Sequence, residues 1–423
     1  MLDIKLIREN PDAVEENLKR RHDPEKTAMF RQLLKKDSQL RKTIRKVEDL
    51  KHEKNSVTRE IARKKDTKKI ERMRDIGKEI SELDRKRKDL EQETRNLLLK
   101  IPNLLHESVP FGKDDGDNKA VKSWGKPPKF SFKPRNHLEL LEGLGIIDAE
   151  RAAKVTGHGF FYYKGELAML DLALVKYTVD FMAKRGFTLV EPPFMLRRKP
   201  YEGVTDLASF HDVLYKIEGE DLYMIATSEH PMAAMYMDEV LEKKDLPIRL
   251  VGVSPCFRKE VGSHGKYTKG LFRMHQFNKV EQFVFCLPEQ TEGLHEEIQK
   301  NAEELYQSLG LPYRVMNVCT GDIGDIAAKK YDTDLWMSDG KYREAGSNSN
   351  CTDYQARRLM IKYREKEGAP PIGHVHTLNN TAIATSRTML AILEVYQQKD
   401  GSVKVPDVLQ PYMGGTRIIR RKK

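Results

Sequence analysis

The stretch from residue 26 to residue 101 limits the fold of this 423-residue chain more than any other feature, because it contains no proline and one glycine, Gly77. Apolar residues recur in it at spacings of three, four or seven, which is the periodicity of a coiled coil. The polar cluster Arg63 to Lys69 divides them into two runs. The pattern predicts two long helices folded back as an antiparallel hairpin, and arms of about 35 residues would reach on the order of 50 Å.

Positive charge is concentrated at this end of the chain. The first hundred residues carry 30 Lys and Arg against 21 Asp and Glu, so they supply +9 of the net charge of +11. A basic tail, Arg417 to Lys423, carries five basic residues and no acidic one, so the part of the chain between residue 100 and this tail is slightly acidic. Two interpretations stay open for a basic coiled coil: an ordinary solvated hairpin, or a lever that grips a nucleic-acid backbone through its phosphates. The candidate phosphate-binding residues are Arg41, Lys42, Arg45, Lys46, Arg63, Lys64 and Lys65.

Composition and cysteine usage exclude several classes of protein. A hydrophobic content of 39% supports a real core. No run approaches the ~18 apolar residues of a membrane helix. The N-terminal segment MLDIKLIREN lacks an apolar signal core, so we expect a cytoplasmic location. Four cysteines, Cys256, Cys286, Cys319 and Cys351, include no CxxC pair, which favours buried reduced thiols over a disulfide framework or a zinc site.

Prolines and glycines interrupt any helix between Pro102 and Pro134, which indicates a linker. We therefore expect a helical domain over 1–108, a linker over 109–134 and a body over 135–423. The body alternates helical segments with short β-rich runs, which predicts an α+β fold. It contains neither GxGxxG nor GxxxxGK[ST], so any nucleotide would be bound by another device.

Two clusters in the body predict a β-hairpin with a charged face. The string Phe257-Arg258-Lys259-Glu260 is followed by a glycine-bearing loop and a returning run, Arg273 to Phe285. Alternate residues of a strand share a face, so Arg258 and Glu260 are expected to point the same way. Glu281 lies in an apolar part of the returning strand and needs a partner if buried, which a ligand amine, a lysine or an amide could supply. Taken alone, both strings are also typical of ordinary surface strands and salt bridges.

Three further strings carry small and polar residues at places where a ligand could approach. Thr227-Ser228-Glu229 follows an apolar run, and the segment Arg343 to Cys351 is rich in Gly, Ser and Asn. The segment Leu378 to Arg387 leads into an amphipathic helix. An arginine at the start of that helix can reach a triphosphate or form a structural salt bridge.

Taken together and in this order, the strings resemble those of the seryl-tRNA synthetases, a family of class II aminoacyl-tRNA synthetases. The resemblance covers essentially the whole chain, and its most specific strings are TSE at 227, FRKEVGSHGKYTKGLFRMHQFNKVE at 257, REAGSNSNCTDYQARR at 343 and LNNTAIATSRTMLAILEVYQ at 378. It implies a catalytic domain built on an antiparallel β-sheet flanked by helices, behind a tRNA-binding coiled-coil arm. The segment Leu170 to Pro193 resembles the dimer-forming helix and strand of the family, which implies a homodimer.

The resemblance also implies an activity and its site residues. The expected reaction is ATP-dependent ligation of L-serine to tRNA(Ser) through a seryl-adenylate, with tRNA(Sec) as a further acceptor in hosts that contain it. The main catalytic residues would be Arg258, Glu344 and Arg387. ATP would be bound by Arg258, Lys259, Glu260, Met274, Phe277, Glu344, Ala345, Gly346, Ser347 and Arg387, with Mg²⁺ on Glu344 and Ser347. Serine would be bound by Thr227, Ser228, Glu229, Arg258, Glu281 and Thr381.

Some expectations concern departures from the family pattern and alternative functions. Many relatives carry serine at the position of Thr381. No cysteine arrangement matches the zinc-dependent branch of the family, so a zinc-free site is expected. Asp37 and Lys54 in the apolar seam suggest an arm that is loosened until tRNA binds. An enzyme that loads another amino acid or a non-tRNA carrier, and a non-catalytic nucleic-acid-binding protein, are the alternatives. The long arm argues against the first, and the retained charged site residues argue against the second.

Overall fold

The computed structural model describes residues 1–63, 66–205, 207, 212–260 and 270–421. These residues form two compact units, Met1–Leu104 and Leu105–Lys423. None of the helices formed by the described residues is long and apolar enough to cross a membrane.

The first unit is helical, and its helix ends follow from local sequence. Its helices are α1 (Ile4–Glu9), α2 (Pro11–Lys19), α3 (Pro24–Arg63) and α4 (Thr67–Lys100). Proline begins α2 and α3, where its missing N–H costs nothing. The Asp66 side chain caps α4 by accepting hydrogen bonds from the backbone N–H groups of Lys68 and Lys69. The prediction of two long helices is confirmed.

The long helices α3 and α4 pack antiparallel along an apolar seam. The buried seam residues include Phe30, Leu33, Val47 and Leu50 on α3, and Ile76, Leu90 and Leu98 on α4. Ion pairs flank the seam, with Lys36 Nζ 2.6 Å from Glu93 Oε2 and Arg72 Nη2 2.8 Å from Glu53 Oε1. Residues early in α3 therefore pair with residues late in α4, as an antiparallel hairpin requires.

The seam carboxylate Asp37 is fully partnered. It is 2% exposed, and it accepts hydrogen bonds from Arg8 Nε at 3.0 Å and Arg8 Nη2 at 2.6 Å, as well as from Arg41 Nε at 3.0 Å. A bidentate arginine matches the geometry of a carboxylate. Asp37 thus joins the short N-terminal helix α1 to α3, whereas the sequence suggested that it loosens the hairpin.

The second unit has helices packed on sheets. Its helices are α5 (His137–Leu144), α6 (Ala149–Thr156), α7 (Glu166–Ala183), α8 (Arg198–Val204), α9 (Glu229–Ala234), α10 (Thr291–Ser308), α11 (Tyr354–Leu359) and α12 (Thr385–Val395). Its strands are β1 (Lys119–Trp124), β2 (Ile147–Asp148), β3 (Tyr162–Tyr163), β4 (Thr188–Val190), β5 (Met195–Leu196), β6 (Tyr223–Met224), β7 (Val240–Glu242), β8 (Ile248–Phe257), β9 (Gln276–Cys286), β10 (Tyr313–Asn317), β11 (Lys329–Trp336), β12 (Tyr342–Asn350), β13 (Lys362–Arg364), β14 (Gly373–His374), β15 (His376–Ala384), β16 (Val403–Lys404) and β17 (Ile418–Ile419).

The main sheet of the described residues has the strand order β1-β10-β11-β12-β15-β9-β8-β4. Every neighbouring pair is antiparallel except β4 and β8, which are parallel. Helices α7, α10 and α12 pack on it, and the largest apolar cluster lies between them and the sheet. The predicted α+β class and the antiparallel sheet flanked by helices are confirmed. The order brings β8, β9, β15 and β12 side by side, although β12 and β9 are far apart in the chain.

Candidate active site

A cavity of about 340 Å³ opens on the central strands of the main sheet. It is bordered by β8, β9, β12 and β15 and by the first turn of α12. Most of the site residues predicted from the sequence line it, namely Thr227, Glu229, Arg258, Glu260, Met274, Phe277, Glu281, Glu344, Ala345, Gly346, Ser347, Thr381 and Arg387. The sheet therefore gathers residues that are up to 160 positions apart in the chain.

One end of the cavity pairs a carboxylate with an arginine. Arg387, in the first turn of α12, donates from Nη1 to the Glu344 carbonyl oxygen at 2.7 Å, and the same nitrogen lies 3.6 Å from Glu344 Oε1. Ser347 Oγ donates to Glu344 Oε1 at 3.2 Å. Although partial burial raises the pKa of Glu344, the cations of Arg387 and Lys330 outweigh it and hold that pKa well below its usual range. Glu344 is therefore ionised at neutral pH.

A second charged pair lies next to Glu344 on the adjacent strand β11. Lys330 Nζ is 3.3 Å from Asp332 Oδ1. Burial raises the pKa of Asp332, and the nearby negative charge of Glu344 adds to this effect. Lys330 also lines the cavity. This end thus combines two cationic side chains with acceptor oxygens, a charge pattern suited to a phosphorylated ligand and an accompanying metal ion.

The middle of the cavity is bounded by the ends of β8 and β9. Arg258 Nε donates to the Ala226 carbonyl at 3.3 Å, and the guanidinium lies 5.4 Å from the ring centroid of Phe277. The guanidinium of Arg258 therefore lies over the aromatic face of Phe277, within the range of a cation–π contact. Glu260, in the left-handed region at φ 49°, receives a hydrogen bond from Arg273 Nη1 at 3.1 Å. The positive φ at Glu260, just after the end of β8, changes the direction of its side chain relative to that of a regular strand.

The other end of the cavity is small, polar and buried. Lys279 Nζ lies 2.7 Å from Glu281 Oε2 and donates to Thr227 Oγ1 at 3.1 Å. Thr381 is the register partner of Glu281 across β9 and β15. Burial raises the pKa of Glu281 to about 7, with Lys279 opposing the shift and Glu229 adding to it.

Glu229 lies beside this pair at the start of α9. Its Oε1 accepts hydrogen bonds from Asn379 Nδ2 at 3.3 Å and from Gln355 Nε2 at 3.4 Å. Burial raises the pKa of Glu229, while Lys279 and Gln355 lower it. Two carboxylates therefore face one small volume, which suits a ligand that carries an ammonium group.

Two predicted residues are placed away from the cavity. The Ser228 side chain is fully buried and donates from Oγ to the Gly252 carbonyl at 3.2 Å. The backbone N–H of Lys259 donates to the Val213 carbonyl at 2.8 Å, and its ammonium lies 5.8 Å from the ring centroid of Tyr215. Neither borders the cavity.

The candidate phosphate-binding residues of the arm lie on α3. Arg41, Lys42, Arg45, Lys46 and Arg63 are all exposed there. Lys46 forms an ion pair with Glu79 of α4, with 2.6 Å between Nζ and Oε1. Lys64 and Lys65 lie outside the described residues.

Sequence reasoning missed several residues that border the cavity, chiefly Lys279, Lys330, Phe272 and Asn379. Lys279 had a usable signal, because it lies two positions before Glu281 on a strand and must share its face. Lys330 had none, because β11 contributed no recognisable string. Within the described parts of the chain, no group of three or more His, Cys, Asp or Glu side chains is arranged to hold a metal ion.

Comparison with protein families agrees with this arrangement. Residues 214–396 match the model of the tRNA synthetase class II core domain (G, H, P, S and T), and residues 1–105 match the seryl-tRNA synthetase N-terminal domain. A Giardia lamblia prolyl-tRNA synthetase structure shares the fold, with a TM-score of 0.56 and 17% identity over 64% of this chain and 54% of that one. The fold and the matched core are those of a class II aminoacyl-tRNA synthetase.

Similarity to full-length relatives narrows the class. The chain is 54% identical to a serine–tRNA ligase of Methanocella arvoryzae, over 99% of this chain and 100% of that protein. A crystal structure of the Pyrococcus horikoshii seryl-tRNA synthetase complexed with ATP superposes with a TM-score of 0.97 at 46% identity, covering all of both chains. A Naegleria fowleri cytoplasmic serine–tRNA ligase in complex with AMP gives 0.90 at 38% identity, over 100% of this chain and 99% of that one. The chain belongs to the seryl-tRNA synthetase family.

Proposed function

We propose that this chain ligates L-serine to tRNA(Ser) at the expense of ATP, through a seryl-adenylate. The observation that carries the proposal is the single cavity that has a phosphate-binding end, with Arg387 and Glu344, and an ammonium-binding end, with Glu229 and Glu281. Arg258 lies between these ends. The activity of the full-length relatives supports the same assignment.

ATP would lie across the phosphate-binding end and the middle of the cavity. Arg387 would hold the γ-phosphate, Arg258 the α-phosphate, and Phe277 would stack on the base. Glu260 and the main chain at Met274 would border the adenine, with Ala345 and Gly346 beside the phosphates. The Pyrococcus horikoshii relative with ATP and the Naegleria fowleri relative with AMP support a nucleotide in this fold.

The residues at the phosphate-binding end fit a magnesium ion that accompanies ATP. Mg²⁺ prefers oxygen ligands, and it is usually held by one or two carboxylates together with substrate phosphates. Glu344 offers an ionised carboxylate, and the Ser347 hydroxyl lies 3.2 Å from it. When bound, the ion would neutralise charge on the phosphate oxygens. The proposal includes no zinc.

Serine would occupy the small polar end. Its carboxylate would face Arg258, its ammonium group the carboxylates of Glu229 and Glu281, and its hydroxyl Thr381 and Glu281. Thr227 would border the amino group. A site built to hydrogen-bond a hydroxyl strongly rejects an analogue that lacks one, because the buried polar groups of the site would be left unpaired. Alanine would therefore be excluded by chemistry, and threonine by the small volume.

Catalysis would come from positioning and charge. The serine carboxylate attacks the α-phosphorus of ATP, and pyrophosphate leaves; the terminal ribose hydroxyl of tRNA then attacks the activated carbonyl, and AMP leaves. Arg258 would bring the two negative groups of the first step together and stabilise the charge that develops on the phosphate oxygens. Arg387 would do the same for the departing pyrophosphate.

The basic arm would bind the tRNA. Arg41, Lys42, Arg45, Lys46 and Arg63, which are exposed on α3, with Lys64 and Lys65, would contact phosphates of the long variable arm of tRNA(Ser). Phosphate contacts position a nucleic acid without reading its sequence. In hosts that contain tRNA(Sec), the same recognition by shape would admit it as a second acceptor.

The body would form a homodimer through α7 and β4. The exposed large apolar residues include Met169 and Leu172 on α7 and Leu189 on β4, with Leu172 61% exposed. Large apolar side chains exposed on two elements that contact each other support an interface between proteins at this face. Light scattering of the purified chain should give twice the chain mass of 48.9 kDa, and a Leu172→Glu variant should give the monomer.

ATP–pyrophosphate exchange across a panel of amino acids tests the proposed function. Exchange that depends on serine, with alanine and threonine at least about 10²-fold poorer in kcat/KM, is the expected result. Exchange with another amino acid would assign a different substrate. No exchange with any of them would favour a binding protein that lacks the first catalytic step.

A further inference from the structure

Lys279 is a charged residue of the cavity that the proposed function does not use. Its side chain is 9% exposed, and its ammonium group lies 2.7 Å from Glu281 Oε2 and 3.1 Å from Thr227 Oγ1. Glu281 is 1% exposed, and among the described residues its Oε2 has no hydrogen-bond partner beside this ion pair. A buried lysine next to two carboxylates of the amino-acid pocket therefore calls for a role of its own.

We propose that Lys279 is a positioning residue of the amino-acid pocket, whose ammonium group acts as an internal counter-ion that keeps Glu281 ionised and aimed at the ligand. The inference rests on the proposed function, because it assigns to Glu281 the ammonium and hydroxyl groups of serine. Lys279 itself would not contact the reacting atoms. It would act on serine chiefly through Glu281, and its charge also favours the ionised form of Glu229.

Charge balance in the pocket carries the argument. Glu229 and Glu281 face the same small volume, and like charges in a buried site drive one of the two to take up a proton. Arg258 offers its charge to the carboxylate of the ligand and is directed there by its bond to the Ala226 carbonyl. Lys279 therefore supplies the positive charge that lets both carboxylates stay ionised before serine arrives. A protonated Glu281 would be a poorer acceptor for an ammonium group.

The other titratable groups that face Glu281 stay neutral over the working pH range. Burial raises the pKa of the Cys256 thiol on β8 and of the Tyr306 phenol on α10, so both remain protonated. Burial lowers the pKa of His230 on α9, which faces Lys279, to about 3, so this ring is uncharged. Glu281 is accordingly the group that titrates near neutral pH, and burial also raises the pKa of its neighbour Glu229.

The sign of the pH effect follows from these shifts. Glu281 is ionised above its pKa of about 7, and loss of Lys279 removes the one lysine that lowers this pKa. KM for serine should rise as the pH falls through the pKa of Glu281. In a Lys279→Met variant the midpoint of this rise should move to higher pH by about one unit, so that the ionised fraction of Glu281 below the midpoint is about tenfold lower. KM for serine should rise by the same factor there, and the difference should shrink as the pH increases.

The experiment measures serine-dependent ATP–pyrophosphate exchange by the full chain at saturating ATP, from about pH 6 to about pH 8.5, the range in which a carboxyl with a raised pKa titrates. Lys279→Met should show the shifted midpoint, with kcat at saturating serine close to that of the wild type. Lys279→Arg keeps the charge and should restore the wild-type midpoint. Lys330→Met is the matched control: it removes the lysine at the phosphate-binding end and should raise KM for ATP while leaving the serine midpoint in place.

A double variant separates the counter-ion role from simple packing. In a Glu281→Gln background the carboxylate of Glu281 is absent, so adding Lys279→Met should not reproduce the shift of the midpoint that the single variant shows. If Lys279→Met alone does not fold, Lys279→Met/Glu281→Gln should fold, because it removes both members of the buried pair. Failure of this double variant to fold would overturn the proposal.

Two results on the single variant would also overturn it. One is an unchanged midpoint in Lys279→Met, and the other is a rise in KM by the same factor at every pH, which indicates only damaged packing. Loss of serine-dependent exchange in the wild-type chain is a different outcome, since it would refute the proposed function itself.

Discussion

The contact between Gly346 of β12 and Thr381 of β15 makes a demanding test of the site, because a single added carbon would push the two strands apart. A Cβ atom built on Gly346 would lie 2.8 Å from Thr381 Cβ and 3.1 Å from Thr381 Cγ2. Carbon atoms in ordinary contact are ~3.5–4.0 Å apart. In Gly346→Ala, Thr381 must therefore move by about 1 Å, and with it the hydroxyl that faces Glu281.

The displacement sets the expected magnitudes. Overpacking a well-packed site costs about 1–3 kcal/mol of stability. A misplacement of ~1 Å in a catalytic site can lower the rate about 10²-fold. We expect kcat/KM for serine in pyrophosphate exchange to fall about 10²-fold in Gly346→Ala, beyond what the loss of stability explains. Thr381→Ser removes Cγ2 but leaves Cβ at 2.8 Å from the added carbon. The double variant Gly346→Ala/Thr381→Ser should therefore recover only part of the lost kcat/KM.

The assay needs a matched glycine that has room for a side chain. Gly143 lies in α5, and a Cβ there would meet nothing within 4 Å. Gly143→Ala should leave exchange unchanged and stabilise the helix by up to ~1 kcal/mol. If Gly346→Ala had the melting temperature and the serine KM of the wild type, the close approach of β12 and β15 and its role in holding Thr381 would be refuted.

Three further predictions test the body and the arm. Arg258→Ala, just beyond the end of β8, should abolish exchange. Arg249→Ala near the start of that strand loses an ion pair with Glu297 and should not abolish it. Near-normal activity of Arg258→Ala would refute its placement. Deleting residues 30–98 should spare serine-dependent exchange and cripple tRNA charging, and charging that survives would contradict the role of the arm. Asp37→Ala should lower the stability of the arm by about 1–3 kcal/mol. The loss should be at the low end of this range, because Arg8 is 36% exposed and can be hydrated again. Hydrogen exchange in the arm should measure the loss, and equal protection in wild type and variant would count against the pairing.

Much of the fold follows from patterns that are local in the sequence. The heptad-like spacing between 26 and 101 predicts α3 and α4, and the β-rich runs at 187–190, 250–253 and 280–285 lie in or next to the strands β4, β8 and β9. The role of Asp37 does not follow in this way. Its main partner, Arg8, is 29 positions away on another helix, and a periodic pattern carries no information on such a pair. From the sequence alone, a carboxylate at a seam position therefore looks destabilising, because the arginine that pairs with it cannot be identified.

The grouping of the site residues is a property of the sheet order. The neighbours β12, β15, β9 and β8 bring Glu344, Thr381, Glu281 and Arg258 around one cavity. Neither composition nor periodicity predicts that order, and the family resemblance implied only which residues share the site. The same order explains why Lys330 was missed, because β11 enters the site only as the neighbour of β12.

Two predicted residues lie within the matched strings but do not border the cavity. Ser228 lies between Thr227 and Glu229, and both neighbours line the cavity while Ser228 is bonded to the carbonyl of Gly252 behind it. Lys259 likewise lies between Arg258 and Glu260. Strict alternation does not apply to either string, because Ser228 has helical backbone angles at the start of α9 and Glu260 is in the left-handed region. It does apply on the strand β9, where Lys279 lies two positions from Glu281 and shares its face. An unbroken motif therefore predicts which segment meets a ligand but not which of its side chains do.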